Sequence, residues 1–445
     1  MRASSLLRVG DDARIVSTVG GFFQLILFPA QNGDVMAKSY PFIKKSLPLC
    51  AIYQQRLKMI RHWFRFFCSL ILLIPAFQLS AQQLPTDVKL TVHPDLQQLG
   101  EALLQNKQGS IVAIEPGTGR ILALVSRDKV DDGLNRAISK TYSPGSTFKV
   151  AQALEMLSEG TLVPEKTYPC HKGFYFNKVH IGCHPHRSPL ALVDAIGQSC
   201  NAYFCKAFQE MIDNREAYPT QFRAINRWHQ YMLSMGLGKP LGVDLPDENG
   251  GLMPDSAYLR NTHHRWNGTT LIWMGMGQGE VKVTPLQLCN LAALVANRGY
   301  YIKPHIHEAS AVVKVDTTRH YCLAKPWAYD TVIKGMYKAV KTGTAASIHN
   351  THYDICGKTG TAENKGDDHS IFMGFAPMNK PTIAVSVYIE NGGFGADMAA
   401  PLAALMIEQY INGRLSEKSK HRALKWENRE VGITPVLIPV TLDNL

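Results

Sequence analysis

The 445-residue chain lacks a long apolar run, biased or repetitive tracts and a paired framework of cysteines. Its longest apolar stretch, residues 66–77, falls short of the ~20 residues a membrane helix needs. With 45% hydrophobic and 19% charged residues and no low-complexity segment, the composition is that of a globular protein rather than a disordered one. An evenly spread excess of basic residues is missing too. The net charge of +11 is concentrated at the N-terminus, where residues 1–81 hold ten Lys/Arg against three acids, leaving +4 over residues 82–445. That residue of charge gives no basis for a nucleic-acid partner.

What is present begins with a targeting pattern. From Met59 the chain reads as a basic start with Arg61 and Arg65, an apolar run over residues 66–77, and a small residue, Ala81, at a plausible cut site. This predicts an exported, periplasmic or otherwise extracytoplasmic protein. The segment near 59–81 serves as a secretory signal or as an uncleaved inner-membrane anchor, with an internal core helix as the third reading. A translation start at Met59 would make residues 1–58 an upstream extension. Cys50 and Cys68 fall in this N-terminal region, leaving seven cysteines, an odd and widely spaced set that makes no disulfide scaffold.

The remaining chain divides into residues 84–412, a folded domain, and residues 413–445, a charged and then irregular peripheral tail. Residues 84–108 read as a short strand, a turn at His93-Pro94 and a helix. Residues 109–115 and 120–126 form a hairpin around Pro116-Gly117-Thr118-Gly119. Residues 146–158 show helical apolar spacing that ends at Gly160. Thr284-Pro285-Leu286-Gln287 predicts a helix start with a capping box, and Gly299 its end. Strands are expected at 353–361, 370–375 and 382–390, and a helix at 400–411. Strands at both ends with helices between them predict an α+β fold: one central antiparallel sheet covered by helices.

Three constellations carry chemistry. In Pro144-Gly145-Ser146-Thr147-Phe148-Lys149, a serine at a helix start is followed three residues later by a lysine on the same face. Serine needs a base to become a nucleophile, and lysine is one only where burial lowers its pKa. Alone this spacing is as consistent with a capping serine and a solvated lysine. Ser199-Cys200-Asn201 presents a hydroxyl and an amide two apart, which alone would read as a helix-start serine and a satisfied asparagine. Lys358-Thr359-Gly360-Thr361 enters a strand whose edge could hold an extended peptide and neutralise its carboxylate, with Gly360 allowing close approach of a ligand.

In this order, the three resemble the motif set shared by serine β-lactamases and penicillin-binding proteins. Asn135-Arg136-Ala137-Ile138, Gly277-Gln278-Gly279 with Thr284-Pro285-Leu286-Gln287, and Phe375-Ala376-Pro377 extend the likeness to the transpeptidase domain of elongation-type class B penicillin-binding proteins, over about residues 84–412. The resemblance implies a β-lactamase/transpeptidase-like fold and a peptidoglycan D,D-transpeptidase or D,D-carboxypeptidase acting on D-Ala-D-Ala stem peptides and trapped by penicillin and other β-lactams. It further implies that Ser146 is the nucleophile, Lys149 its base, and Ser199 with Lys358 the proton relay to the leaving amine. Asn201 would hold the acyl-peptide amide and Thr359, Gly360 and Thr361 the substrate strand and carboxylate. No cofactor is required, and a cell-wall synthesis complex is the implied partner assembly. A serine β-lactamase, or a β-lactam or muropeptide sensor without turnover, are the competing functions.

Lys341-Thr342-Gly343-Thr344 repeats the third motif but follows helical rather than alternating spacing, so the chemistry is assigned to Lys358. Cys170, Cys183 and His184 form a further cluster, for which a structural zinc, a Cys170–Cys183 disulfide and loop residues without chemistry all remain open. The likeness departs from the family in two places. The long pedestal usual in elongation-type members does not separate the targeting segment from residue 84, and the stretch between Ser126 and Asn135 is short. Both leave the usual docking to a cell-elongation complex unsupported.

Overall fold

The strands are almost continuously apolar because both faces of the sheet are covered. In a computed structural model that describes residues 88–129, 133–176, 178–262, 268–310 and 312–431, β1 (Gly109–Ile114) pairs antiparallel with β2 (Ile121–Arg127), Val112 facing Leu124. On its other side β1 pairs with β9 (Ile383–Ile389), which pairs with β8 (His369–Ala376), which pairs with β7 (Cys356–Ala362). The order β2-β1-β9-β8-β7 is antiparallel throughout and brings both ends of the domain into one sheet. Successive residues alternate between two cores: Ile111, Ala113, Phe372 and Val385 enter one, Val112, Ile114, Ile371 and Met373 the other. The expected α+β architecture is what the structure has.

Against one face lie α1 (Pro94–Leu104) and α10 (Ala399–Asn412). Against the other lies α8 (Pro285–Ala296), in which every residue is buried. Such a helix needs its terminal N–H groups met from within, and both halves of the capping box are made: Gln287 N–H donates to Thr284 Oγ1 (3.2 Å) and Thr284 N–H to Gln287 Oε1 (3.0 Å). The helical layer continues through α2 (Lys149–Glu159), α3 (Leu192–Gly197), α4 (Asn201–Asp213), α5 (Gln221–Ser234), α6 (Ser256–Thr262), α7 (Gly268–Gly275) and α9 (Pro326–Lys341). Two short hairpins, β3 (Gly173–Phe176) with β4 (Val179–Gly182) and β5 (Tyr300–Ile302) with β6 (Arg319–Tyr321), lie outside the main sheet.

The segment at Asn135-Arg136 is structural. Arg136 and Lys140 pair with Glu390 just past β9 (3.1 and 3.3 Å), and Tyr142 donates to the same carboxylate (2.6 Å), tying the approach to the first motif to the sheet.

Two sequence expectations change. Residues 417–427 are not an irregular tail but a helix, α11 (Glu417–Glu427), started by the Ser416 hydroxyl and Glu417. Its C-terminal carbonyls accept from Lys107 and from Asn106 Nδ2 (2.9 Å), just beyond α1. The strand expected in 84–108 shrinks to a single bridge between Leu90 and His307. The targeting segment at 59–81 and the extension before it lie outside the described residues. Among the described residues no helix is long and apolar enough to cross a membrane.

Candidate active site

A single turn of 3-10 helix, Gly145–Phe148, leads into α2, so Ser146 and Lys149 sit one turn apart where the helix begins. Lys149 is fully buried, and its Nζ lies 3.0 Å from Ser146 Oγ. The other bonds of Nζ go to Ser199 O (2.8 Å) and Asn201 Oδ1 (2.5 Å), with Ser199 Oγ at 3.4 Å. No carboxylate hydrogen-bonds this ammonium among the described residues, so desolvation is opposed only by nearby cysteine sulfurs and holds Lys149 down to about 8. A lysine in that range exchanges protons near neutral pH.

The second motif approaches from α3 and α4. Asn201 opens α4, and Cys200 caps it, its sulfur accepting from Tyr203 N–H. Ser199 before it is held at φ +52°, a left-handed conformation uncommon outside glycine. Its carbonyl faces Lys149 and its hydroxyl faces the third motif, where Lys358 Nζ donates to Ser199 Oγ at 2.7 Å. Lys358 is also fully buried and is held well below its ordinary pKa by burial and by the like charge of Lys149. An unbroken path of polar atoms therefore runs from Ser146 through Lys149 and Ser199 to Lys358.

β7 is the edge strand of the sheet, and its residues alternate. Thr359 and Thr361 line a cavity of ≈ 590 Å³ together with Ser146, Ser199 and Asn201. Gly360 turns the other way. A Cβ there would stand 2.9 Å from Thr147 Cγ2 and 3.1 Å from Pro144 O, so this glycine makes room for the protein's own helix start. Gly145 answers it from the helix side: at φ +53° its missing Cβ would fall 2.4 Å from Thr361 O. The Gly-Gln-Gly turn closes the third side, with Gly145 N–H donating to Gly277 O (2.9 Å) and Gln278 Nε2 to Thr361 O (3.4 Å).

Several lining residues were not anticipated as site residues: Trp273, Met276, Phe394 and, from the repeated motif, Gly343 and Thr344. Lys341 of that repeat is exposed at the end of α9, over the Tyr337 ring, away from the cavity.

Beside the cavity, Cys170, Cys183, His186 and Cys200 converge, with all four ligand atoms within 4.8 Å of one another. His184, expected in this group, lines the cavity instead, while the chain bends at Pro185 and returns His186 to the side of Cys183. His186 directs Nδ1 at Arg187 O (2.6 Å), which leaves Nε2 buried with no hydrogen-bond partner. Cys183 Sγ accepts from Asn201 N–H (3.1 Å) and Ala202 N–H (3.4 Å) at the start of α4, and lies 4.0 Å from Cys200 Sγ. These bonds, that to Cys200 foremost, favour the thiolate and bring Cys183 down to about 4. All seven cysteines among the described residues are free, so no Cys170–Cys183 disulfide is formed.

Comparison with known proteins places these observations. Residues 109–408 match the family model described as penicillin binding protein transpeptidase domain. The chain is 31% identical over 382 residues to the peptidoglycan D,D-transpeptidase MrdA of Acinetobacter baumannii, covering 73% of this chain and 54% of that protein. It thus spans little more than half the length of that curated relative. The crystal structure of Pseudomonas aeruginosa PBP2 in complex with WCK 5153 is similar at 30% identity and a TM-score of 0.66, over 75% of this chain and 78% of that one. A chain from a peptidoglycan synthase complex that coordinates polymerization and crosslinking is similar at 28% identity and a TM-score of 0.66, over 74% of this chain and 63% of that one.

Proposed function

Because the chain belongs to the penicillin-binding-protein transpeptidase family, we propose that it is a peptidoglycan D,D-transpeptidase working through an acyl-serine intermediate. The observation that carries the reading is the 3.0 Å contact between Lys149 Nζ and Ser146 Oγ in a site where both relay lysines are fully buried. Lys149, as the neutral amine, takes the proton of Ser146 as Oγ attacks the carbonyl of the penultimate D-Ala, or of a β-lactam ring. The backbone N–H groups of Ser146 and Thr361 receive the oxyanion. The proton passes by way of Ser199, with Lys358 beside it, to the leaving amine. Asn201 holds the peptide amide, and Thr359 and Thr361 the terminal carboxylate. An incoming amine then resolves the acyl-enzyme to a cross-link, or water to a trimmed peptide.

Residues 84–412 make the catalytic domain in this reading, residues 1–83 supply export or inner-membrane anchoring, and the catalytic domain works outside the cytoplasm. The partner class is a cell-wall synthesis complex like the one in which the 28%-identical chain was solved. Cys170, Cys183, His186 and Cys200 would hold a structural zinc: three thiols and an imidazole suit tetrahedral coordination, and the unpartnered Nε2 of His186 supplies the fourth donor. The metal would brace the cavity wall without entering the chemistry. Purified protein carrying about one equivalent of zinc, lost in Cys183→Ser, supports that assignment; protein free of zinc after purification without chelator refutes it.

Labelling with a fluorescent penicillin, wild type beside Ser146→Ala, tests the main reading. One stoichiometric adduct mapping to Ser146 and none in the variant is expected. Continuous hydrolysis would make the protein a β-lactamase, and an adduct on another side chain would end the proposal.

A further inference from the structure

The repeated Lys-Thr-Gly-Thr segment, which starts on the last residue of α9, sends only its end into the cavity, and the packing of α9 on α3 explains how. The two pack closely because α9 offers a glycine to the Ile196 side chain and the turn after α9 offers another to the backbone of α3. A Cβ on Gly335 would lie 2.7 Å from Ile196 Cβ, and one on Gly343 would lie 2.1 Å from Gly197 O. That same Gly197 carbonyl accepts from Thr344 N–H at 3.1 Å, two residues ahead of Ser199. One anchor therefore sets both the second motif and Thr344. So held, Thr344 Oγ1 stands 2.7 Å from Thr359 Oγ1, and both threonines line the cavity.

Two hydroxyls joined by one hydrogen bond have two protons between them, and only one is used in the bond. The other O–H remains to be offered to an acceptor, and the bond behind it strengthens the offer. Thr359 is 7% exposed and sits on the strand edge between Lys358 and Thr361, where a negatively charged group would lie against the wall of the cavity.

We propose that Thr344 is a positioning residue for carboxylate recognition: its hydroxyl donates to Thr359 Oγ1 and turns the proton of Thr359 toward the terminal carboxylate of the donor peptide or the carboxylate of a β-lactam. This rests on the acyltransferase reading above. Thr344 makes no bond to reacting atoms; it sets which way a neighbouring rotor points.

The experiment measures second-order acylation constants for benzylpenicillin and for its methyl ester, in which the carboxylate is masked. Wild type should prefer the acid, and Thr344→Val should compress the acid-to-ester ratio at least fivefold. Thr344→Ser, which keeps the hydroxyl, should restore it to within twofold. Adding Thr344→Val to Thr359→Val should lower the ratio no further, because the first acts through the second. Should the valine variant not fold, Thr344→Ala carries the same comparison. A fall of both constants by the same factor, or additive effects in the double variant, would overturn the assignment. A wild type acylated by neither compound at Ser146 would instead overturn the function on which it rests.

Discussion

Lys358 Nζ donates to Ser199 Oγ across 2.7 Å, joining the sheet edge to the loop ahead of α4. That contact separates the working lysine from its sequence twin, since Lys341 is exposed and points at Tyr337. Lys358→Ala is expected to slow acylation by penicillin at least tenfold, about 1.4 kcal/mol of barrier. Lys341→Ala should leave the rate within twofold. Stopped-flow measurement of both variants decides the point, and equal effects would contradict the assignment.

The pH dependence follows from Lys149. Its amine is useful as a base only when neutral, and burial holds its pKa down to about 8. Below that pH the ammonium dominates and acylation should fall by about tenfold per unit; above it the rate should level off. Because Lys358 lies beside it and is also held low, the apparent value belongs to the pair. A rate that is flat between pH 6.5 and 9 would rule out this base.

Glu155 offers a test of stability apart from activity. It is fully buried on α2 with neither carboxylate oxygen hydrogen-bonded. Burial, and then the charge of Glu159, raise its pKa well above 4.5, with Arg227 acting against them and Tyr218 and Tyr231 close by. The folded state therefore holds a proton that the unfolded chain gives up. Stability is full below the unfolded pKa and declines as pH rises toward the folded value. Glu155→Gln should remove that decline, leaving the variant more stable than wild type at pH 8 with little difference at pH 4.5. Parallel pH-melting curves for the two proteins would refute this.

Gly145 is the fourth test. With φ +53° and Thr361 O only 2.4 Å from its absent Cβ, Gly145→Ala must push the helix start off the strand edge. Acylation should drop at least a hundredfold, while the melting temperature, set by the two large cores, falls by a few degrees. Near-wild-type acylation of this variant would mean the gap between helix and strand is not set here.

Local signals read well from the sequence. The capping box at Thr284 and Gln287, the hairpin turn at Pro116-Gly117 and the strands carrying Lys358 and its neighbours are all short-range patterns, and the structure has each of them. Thr344 was not legible as a cavity residue because its place depends on Gly335 and Gly343 letting α9 touch α3, a contact between distant segments. His186 was passed over for His184 because proximity in sequence says nothing of which way each ring turns around the bend at Pro185. That Gly360 also admits Thr147 from another segment was not legible either, since that contact joins distant parts of the chain.

The pairing of Gly109 with Ile389 sets the order in which this protein becomes able to react. Within the sheet, β7, which carries Lys358, is joined to the first hairpin through β8 and β9. A polypeptide emerging from the ribosome N-terminus first, or threaded through a translocation pore, exposes its serine long before the last strands exist to arm it. On the acyltransferase reading, Ser146 would gain its full set of partners only once nearly the whole chain has been made and folded.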